Sequence, residues 1–345
     1  MAVASGLERP EPADGPAENG RRGSGGGPRP SRIRRALKPF RDARGQARWL
    51  LWIGVTLTLA FVLVGVFAPW LAPYDFNQVS TVDGGRFPKQ APPSADHWFG
   101  TSVRSEDVLS RVIYGARTAL EVTALAVVVS LIIGVPLGLI SGYFGGWLDR
   151  VLVLISDALF AFPYLLLALV IAFLLSDAIG GGIVTAALAI TVVYVPQYFR
   201  VVRNSTLSAR EATYVEAARA LGARPRTIIG RYIFGNVIHS VPVIATLNAA
   251  DAMLTLAGLG FLGYGIQPTE GAEWGYDLQR AIPDIPADIW WTGVFPGMAI
   301  VMFVVALTLL GEGLNDTLNP TLRKRRIEAV HIPPRSAGGD ERTDA

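Results

Sequence analysis

Few residues in this 345-residue chain could carry out covalent or metal chemistry. The chain has no cysteine, and its three histidines lie far apart without a metal-ligand spacing. No GxxxxGK[ST] phosphate-binding loop occurs, and the loops hold no nucleophile beside a base. Disulfides and thiolate sites are therefore excluded, and we expect no enzyme activity, no metal and no cofactor in this chain.

One carboxyl group lies inside a long apolar run. Asp251 is near the middle of the run from about Val237 to Gly263, where an unpaired carboxylate costs about 2.5 to 3.5 kcal/mol on insertion scales. It either lines a path for a polar solute, near an amine of that solute, or has a packing role in which it pairs with a polar group across the helices or is protonated. Asn248 and Thr246, roughly one turn earlier, are candidates to line the same path.

Long apolar helices must position these residues. The chain is 51% hydrophobic and 17% charged, which is too apolar for an ordinary soluble domain. A membrane span needs about 20 mostly apolar residues. Stretches free of Asp, Glu, Lys and Arg, together with one that contains only Asp251, give six candidates. They lie between Arg48 and Asp75, between Glu121 and Asp149, between Asp157 and Asp177, between Asp177 and Arg200, from about Val237 to Gly263, and between Asp288 and Glu312. The predicted fold is all-α and polytopic, with six transmembrane helices.

The distribution of basic residues predicts the orientation. With six spans and a cytoplasmic N-terminus, 25 of the 31 Lys and Arg residues fall in inside segments, as the positive-inside rule requires. We therefore expect both termini in the cytoplasm and the protein in a lipid bilayer. The basic residues flank spans and form no stripe with interleaved aromatics, so nucleic-acid binding is not expected.

Composition divides the chain into five parts. The first apolar run begins only at Trp49 and is too long for a cleaved signal peptide, so it is predicted to be a retained anchor. Asp157 is predicted to pair with Arg150 near the start of the third span. The five parts are a disordered basic cytoplasmic tail (1–45), the first transmembrane helix (46–75), an extracytoplasmic loop ending in a surface-lying helix (76–117), a five-helix core (118–314) and a basic cytoplasmic tail (315–345).

A short, charged helix is predicted between spans four and five, at residues 208–222. Ser208 and Glu211 have the S-x-x-E spacing of a capping box, and Gly222 suits a left-handed C-terminal stop. Its narrow apolar face contains Tyr214, Val215, Ala218 and Leu221.

Two interpretations of this short helix are open. It is either an interfacial connector or a docking element. In the second case the small side chains of Ala217, Ala218 and Ala220 fit a groove on a cytoplasmic partner, because small residues permit close approach. The charges that would orient the contact are Glu216, Arg219, Arg224 and Arg226.

The string "EAARALG" and the following "RYIFGN" resemble the EAA loop of bacterial ABC importer permeases, whose pattern is EAA-x3-G followed some ten residues later by I-L-P. The matching positions are Glu216, Ala217, Ala218, Gly222 and Ile233. The stretches 142–163, 273–281 and 290–320 are similar to the C-type permease subunit of dipeptide and oligopeptide importers. The resemblance covers roughly residues 45 to 322.

This resemblance implies a type I importer permease fold and several partners. They are a second homologous permease subunit, two ATPase subunits that grip the short helix, and an extracytoplasmic substrate-binding protein. The implied activity is ATP-driven import of di- and oligopeptides by alternating access across a prokaryotic plasma membrane. Nickel chelates, oligosaccharides and glutathione are alternative cargoes. The residues expected to couple to the ATPases are Tyr214, Glu216, Ala217, Ala218, Leu221, Gly222 and Arg224.

A stand-alone secondary transporter is the alternative from another class. It would need internal repeats and ionisable residues at the midplane of several spans, and only Asp251 qualifies. The glycines Gly258, Gly260 and Gly263 are interpreted either as close helix packing or as a gate.

The sequence departs from the family pattern at three places. One is the stretch "QPTEGAEWG" between the fifth and sixth spans, which carries extra or altered residues. The I-L-P tripeptide is replaced by Ile233, Phe234 and Gly235. The family's G-T-D-x-x-G-R-D reads "GTSVRSED", which retains Gly100, Thr101 and Asp107.

Overall fold

A computed structural model describes residues 46–81 and 83–318. Secondary structure within these ranges is helical, apart from two isolated β-bridges, Ser80 with Arg86 and Thr101 with Asp107. The predicted N-terminal tail (1–45) and residues 319–345 of the predicted C-terminal tail lie outside the described residues.

The helices of the described ranges are labelled in chain order. They are α1 (Gln46–Val66), α2 (Ala68–Leu71), α3 (Val108–Phe144), α4 (Gly146–Phe160), α5 (Tyr164–Ile179), α6 (Ile183–Arg210), α7 (Thr213–Ala220), α8 (Pro225–Thr227), α9 (Phe234–Val237), α10 (Val241–Phe261), α11 (Trp274–Ala281) and α12 (Trp291–Leu318). A π-helical turn (Ile228–Ile233) and a 3-10 turn (Ile238–Ser240) join α8, α9 and α10, and a second 3-10 turn (Ile282–Ala287) follows α11.

Five helical segments of the described chain are long and apolar enough to cross a membrane, and the α4–α5 pair makes a sixth if it counts as one span. The five segments are Arg48–Val66, Val108–Phe144, Ile183–Arg210, Pro225–Phe261 and Trp291–Thr317. The predicted all-α, six-span polytopic fold is thereby confirmed.

The third span differs from its prediction. It is not one helix between Asp157 and Asp177, because α4 and α5 meet at an angle of 97°. Pro163 directly precedes α5, and a proline disfavours helical backbone in the residue before it. The break at residues 161–163 is therefore encoded by Pro163.

The surface-lying helix predicted before the second span is wrong as a separate element. Residues 108–117 form the first turns of α3, which continues without a break to Phe144. Asp107 caps its start by accepting a hydrogen bond from the Ser110 amide at 2.8 Å. At 1.5 Å per residue, α3 is about 55 Å long.

Glycines set the approach of α3 to α6. Gly134, Gly138 and Gly142 lie at four-residue spacing on one side of α3. A Cβ at each would come within 2.7 or 2.8 Å of an α6 atom, which is inside van der Waals contact. The two helices therefore pack with their backbones close together.

The fifth span begins earlier than predicted. Helical turns run from Pro225 to Phe261, whereas the sequence indicated a start near Val237. Gly235 occupies the position of the family's proline and lies within α9. A proline there would remove a backbone donor and disrupt the helix, so its absence allows the helical turns to continue.

The two ends of the bundle carry different elements. At the N-terminal end of α3, the segment 72–107 packs against residues 273–292, as in the hydrogen bond from Trp291 Nε1 to the Thr101 carbonyl at 3.2 Å. At the opposite end of α3, the carbonyl of Gly142 accepts a hydrogen bond from Arg210 at 3.1 Å. The short helix α7 closely follows Arg210 and so lies at this second end.

Candidate functional site

Helix α7 is held to the protein by one buried face. Val215 is fully buried and Ala218 nearly so. Both belong to an apolar cluster that includes Leu139 of α3, Val202 of α6 and Val241 of α10. A contiguous set of packed side chains therefore connects α7 with three spans.

The other face of α7 is open. Tyr214, Glu216, Ala217 and Ala220 are exposed, and Leu221 just after the helix is 88% exposed. The exposed side of α7 therefore offers small and apolar side chains together with charged ones. The exposed set contains six of the seven residues predicted to couple to a partner: Tyr214, Glu216, Ala217, Leu221, Gly222 and Arg224.

Ala218 is the exception among these predicted residues. Its side chain packs in the apolar cluster and does not face outward, because it lies one turn from Val215 on the inner face. Ala217 and Ala220 supply small side chains on the outer face instead.

The start of α7 also differs from its prediction. Ser208 lies inside α6, where its hydroxyl donates to the Asn204 carbonyl at 3.3 Å, a bond that a helical serine commonly makes. Helix α7 begins after Ala212, which gives no side-chain cap. The predicted capping box and the start at 208 are therefore wrong. The stop is as expected, since Gly222 has φ 78°.

Charged residues fasten the neighbouring helices at this end of the bundle. Arg203 of α6 donates to Asp149 of α4 at 2.7 Å, and the hydroxyl of Ser141 on α3 donates to the same carboxylate at 2.5 Å. Sequence reasoning missed this network, because its members come from three helices with no common spacing.

A second ion pair joins α4 to α6. Asp157 pairs with Arg200 at 2.5 Å, so the predicted partner Arg150 is wrong. Arg150 donates instead to the Gly146 carbonyl on its own helix. The guanidinium of Arg200 also lies 4.1 Å from the centre of the Phe160 ring.

A cavity of about 390 Å³ lies at the bend between α4 and α5. Phe160, Phe162 and Tyr164 line it from the bend, Gln197 from α6 and Asp251 from α10. Of the three residues predicted for a translocation path, only Asp251 is among those that line this cavity.

The other two predicted path residues lie elsewhere. Asn248 is buried, and its Nδ2 has no hydrogen-bond partner within the described ranges. Thr246 donates to the Val243 carbonyl at 2.8 Å and lies against Gly311 of α12. The structure therefore does not bring the three residues together around one opening.

The glycines at the end of α10 have separate roles in packing. A Cβ on Gly258 would meet Leu165 at 2.7 Å, and one on Gly260 would collide with Glu273. Gly263 has φ 83° with no atom near its missing side chain, so it ends the helix in a left-handed conformation. These contacts support the packing interpretation of Gly258 and Gly260.

A buried carboxyl group caps α11 at the other end of the bundle. Glu273 is 2% exposed and accepts hydrogen bonds from the amides of Gly275 at 2.8 Å and Tyr276 at 2.7 Å. Burial raises the pKa of Glu273 to about 8, although these two amides oppose the rise.

An ion network lies beside this cap. Arg111, only 3% exposed, pairs with Asp277 at 2.6 Å and with Glu106 at 3.6 Å. Where the family has Asp and Arg in the GTDxxGRD motif, this chain has Ser102 and Glu106, joined by a hydrogen bond of 2.9 Å. The altered motif thus keeps an internal polar contact.

The retained members of that motif are structural. The Thr101 hydroxyl donates to the Pro88 carbonyl at 2.6 Å, and Asp107 contacts His97 at 2.9 Å. A Cβ on Gly100 would lie 2.6 Å from the Ala91 carbonyl. Ser105 replaces the second glycine of the motif yet keeps a positive φ of 67°.

The described residues include no group of three or more His, Asp or Glu side chains that could hold a metal ion. The features that remain for function are the open face of α7, the cavity at the bend, and the polar surface formed by residues 72–107 with 273–292.

Comparison with known proteins adds a family match. The model of the family described as "binding-protein-dependent transport system inner membrane component" matches residues 134–324. A dipeptide transport system permease protein, DppC, of Alkalihalophilus pseudofirmus is 36% identical over 293 residues, covering 84% of this chain and 92% of the relative.

Two further relatives are permeases that are named for a different substrate. The glutathione transport system permease protein GsiD of Pectobacterium atrosepticum is 35% identical over 265 residues, with 77% of this chain and 85% of the relative covered. GsiD of Escherichia coli is 36% identical over the same length, with 77% and 84% covered.

Proposed function

Because the chain belongs to the family of binding-protein-dependent transport system inner membrane components, we propose that it is the permease subunit of an ATP-driven ABC importer of di- and oligopeptides. The observation that carries this proposal is the two-sided helix α7, with Val215 and Ala218 packed inward and Ala217, Ala220 and Leu221 exposed. One face of α7 packs against the spans, and the opposite face is free to bind an ATPase subunit.

The proposed partners follow from the parts that this chain lacks. Its sequence contains no phosphate-binding loop, so two separate ATPase subunits supply the energy and bind the open face of α7. A second homologous permease subunit completes the path, and an extracytoplasmic binding protein delivers the solute. The chain itself catalyses no reaction.

The transport mechanism we propose is alternating access. Nucleotide-driven closure of the ATPases displaces α7, and the apolar cluster around Val215 passes the displacement to α3, α6 and α10. Two packed arrangements of similar energy, one of them favoured by nucleotide, satisfy the physical requirement for such a switch. The bend at Pro163 and the cavity beside it, lined by Asp251, belong to the part that opens and closes.

Peptides are the proposed cargo because relatives named for dipeptide and glutathione transport match most of the chain. Both substrates are small peptides or peptide-like molecules. Nickel chelates and other small solutes are the alternative for the same machinery.

The proposed location is the prokaryotic plasma membrane, with α7 and both termini in the cytoplasm. A single cysteine tests the orientation, because the natural chain has none. In a Glu216→Cys variant, a membrane-impermeant maleimide should label position 216 only after the membrane is opened. Asp83→Cys, at the other end of the bundle, is the matched control and should react from outside. Labelling of position 216 from outside would overturn the orientation and the docking proposal together.

Bulky substitutions on α7 test the proposed coupling. Ala217→Trp and Ala220→Trp add large side chains to the exposed face and leave the buried face intact. We expect both variants to fold and insert normally, since exposed substitutions usually change stability by less than about 0.5 kcal/mol. They should lose copurification of the ATPase subunits and lose ATP-dependent peptide uptake.

The control for this experiment is Ala287→Trp, an exposed alanine at the opposite end of the bundle. It should retain the ATPase subunits. If Ala217→Trp and Ala220→Trp retain ATPase binding and uptake as the control does, α7 is not the coupling element.

A further inference from the structure

The cavity at the bend of the third span carries one formal charge. Among its described lining residues, Asp251 alone has a side chain that ionises near neutral pH, and the remaining ones are aromatic, aliphatic or amide. The cavity of about 390 Å³ is large enough for a small polar group with its hydration water.

Asp251 belongs to an exposed stripe of side chains along α10. Leu247, Asp251, Leu254 and Phe261 are all exposed, and their successive spacings of four, three and seven residues place them on one side of the helix. A carboxylate turned toward lipid chains is costly, and ionisable side chains in spans face cavities or protein. This side of α10 therefore faces a water-filled path or another subunit.

The neighbouring cation does not neutralise Asp251. Arg200 lies one turn from the cavity residue Gln197, but its guanidinium is paired with Asp157 at 2.5 Å and stacks on Phe160. No side chain in the described ranges donates a hydrogen bond to the Asp251 carboxylate, since the nearby hydroxyls of Tyr194 and Thr255 bond elsewhere. The negative charge is therefore available to a mobile ligand.

The aromatic rings at the bend complement that charge. Phe162 and Tyr164 line the same cavity, whereas the ring of Phe160 already stacks with Arg200. Aromatic faces attract cations within about 6 Å of the ring centre. A carboxylate together with aromatic faces recognises an ammonium group and disfavours an anion.

We infer that this cavity is a binding position for an ammonium group of the transported solute, with Asp251 as its counter-charge. The inference rests on the proposed permease function and adds a charge requirement to it, because the chain itself and not only a delivery protein selects the cargo. Dipeptides and glutathione each carry such a group at the amino terminus of the molecule or of its glutamyl unit.

Thiol labelling tests the charge without knowing the cargo. Leu254 lines the cavity one turn from Asp251, and a Leu254→Cys variant carries the only cysteine of this chain. In the assembled transporter, a cationic methanethiosulfonate should react with this thiol about tenfold faster than an anionic one, after each rate is divided by its rate with a free thiol. The complex with the natural Leu254 gives the background from the other subunits.

The faster reaction of the cationic reagent should disappear when Leu254→Cys is combined with Asp251→Asn. It should persist when Leu254→Cys is combined with Asp251→Glu. Equal rates for both reagents, a preference unchanged by Asp251→Asn, or a thiol that does not react with either reagent would each overturn the inference. A Leu254→Cys complex that imports with ATP but shows no preference would overturn this inference and leave the proposed function standing.

Uptake provides a second readout. With dialanine or glutathione, whichever the natural complex imports, Asp251→Asn should lower uptake at subsaturating concentration about tenfold, the scale of one charge-assisted hydrogen bond. Asp251→Glu should restore it. If Asp251→Asn loses assembly of the complex, as judged by copurification, Asp251 pairs instead with a basic group of the second permease subunit, and the inference fails.

Discussion

A single methyl group at position 138 is expected to destabilise the bundle. Gly138 lies on the stripe of α3 that faces α6, and a Cβ built there would be 2.8 Å from both the Phe199 carbonyl oxygen and the Val202 Cβ. Non-bonded carbon atoms rest at about 3.5 to 4.0 Å. Gly138→Ala therefore requires α3 and α6 to separate locally by roughly 0.7 Å.

The expected magnitude follows from two opposing effects. Overpacking of a filled interior costs about 1 to 3 kcal/mol, and alanine in place of glycine stabilises a helix interior by about 0.5 to 1 kcal/mol. The net loss for Gly138→Ala therefore lies between about 0 and 2.5 kcal/mol, with a central value of about 1 kcal/mol. Because part of the contact is with backbone atoms of α6, side-chain rotation cannot relieve it.

Gly297→Ala is the matched control. Gly297 lies within α12, and the nearest atom to a Cβ there is Leu278 Cδ2 at 3.6 Å, an ordinary contact. This variant should be as stable as the natural protein or slightly more so. The two variants make the same chemical change in two transmembrane helices.

The measurement is the thermal transition of the purified protein in detergent, followed by loss of the monodisperse peak in size-exclusion chromatography. Gly138→Ala should lose this peak at a lower temperature than Gly297→Ala. Adding Gly134→Ala or Gly142→Ala to Gly138→Ala should cost less than the sum of the single changes, since one separation of the helices makes room for both. Equal transitions for Gly138→Ala and Gly297→Ala would refute the close-packing argument.

Three further outcomes concern the end of the bundle that carries α11. Ser105→Gly should raise stability by about 1 kcal/mol, because it relieves φ 67° in a residue with a side chain, and an unchanged melting temperature would contradict this. Arg111→Met should lower stability by about 3 to 5 kcal/mol, since it leaves buried carboxylates unpaired, and Asp277→Leu in the same chain should recover much of the loss. The pKa of Glu273, raised by burial to about 8 from an ordinary 4.5, makes its stabilising contribution complete below about pH 4.5 and lost as pH rises through 8. The melting temperature should therefore fall between about pH 5 and 9 in the natural protein and less steeply in Glu273→Gln, whereas equal slopes would refute the assignment.

The sequence was sufficient for the spans and for the existence of a short helix between the fourth and fifth. Long runs free of charge, such as the one after Asp288, leave few alternatives to a buried helix. The helix end at Gly222 is likewise predictable, because a glycine followed within a few residues by a proline, here Pro225, is typical of a helix end. These signals are local and need no knowledge of neighbouring helices.

The errors arise where a tertiary contact overrides a local pattern. Ser208 fits a capping box, yet the packing of Thr206 against Gly142 keeps α6 helical to Arg210. Asp157 is seven residues from Arg150 along one helix, yet Arg200 of another helix is its partner. Neither contact has a signature in spacing, since each joins residues that are far apart in the chain.

The orientation of side chains on α7 was predicted only in part. An eight-residue helix with Val215, Ala217, Ala218 and Ala220 has apolar groups on more than one side. Which side packs inward depends on the hydrophobic cluster that it meets. Helical periodicity alone therefore could not assign Ala218 to the interior and Ala217 to the surface.

Helix α4 is attached to the rest of the protein in an unusual way. Only Ser156 of its fifteen residues is buried, and ion pairs of Asp149 and Asp157 link it to α6. Displacing this segment about Pro163 would uncover little buried apolar surface. The exposed pair between Asp157 and Arg200 contributes about 1 kcal/mol or less, whereas the partly buried pair between Asp149 and Arg203, which also binds Ser141, is the contact that resists the displacement. We therefore expect a displacement of α4 relative to α6 to depend mainly on these two polar contacts and to leave the packing of the other helices intact.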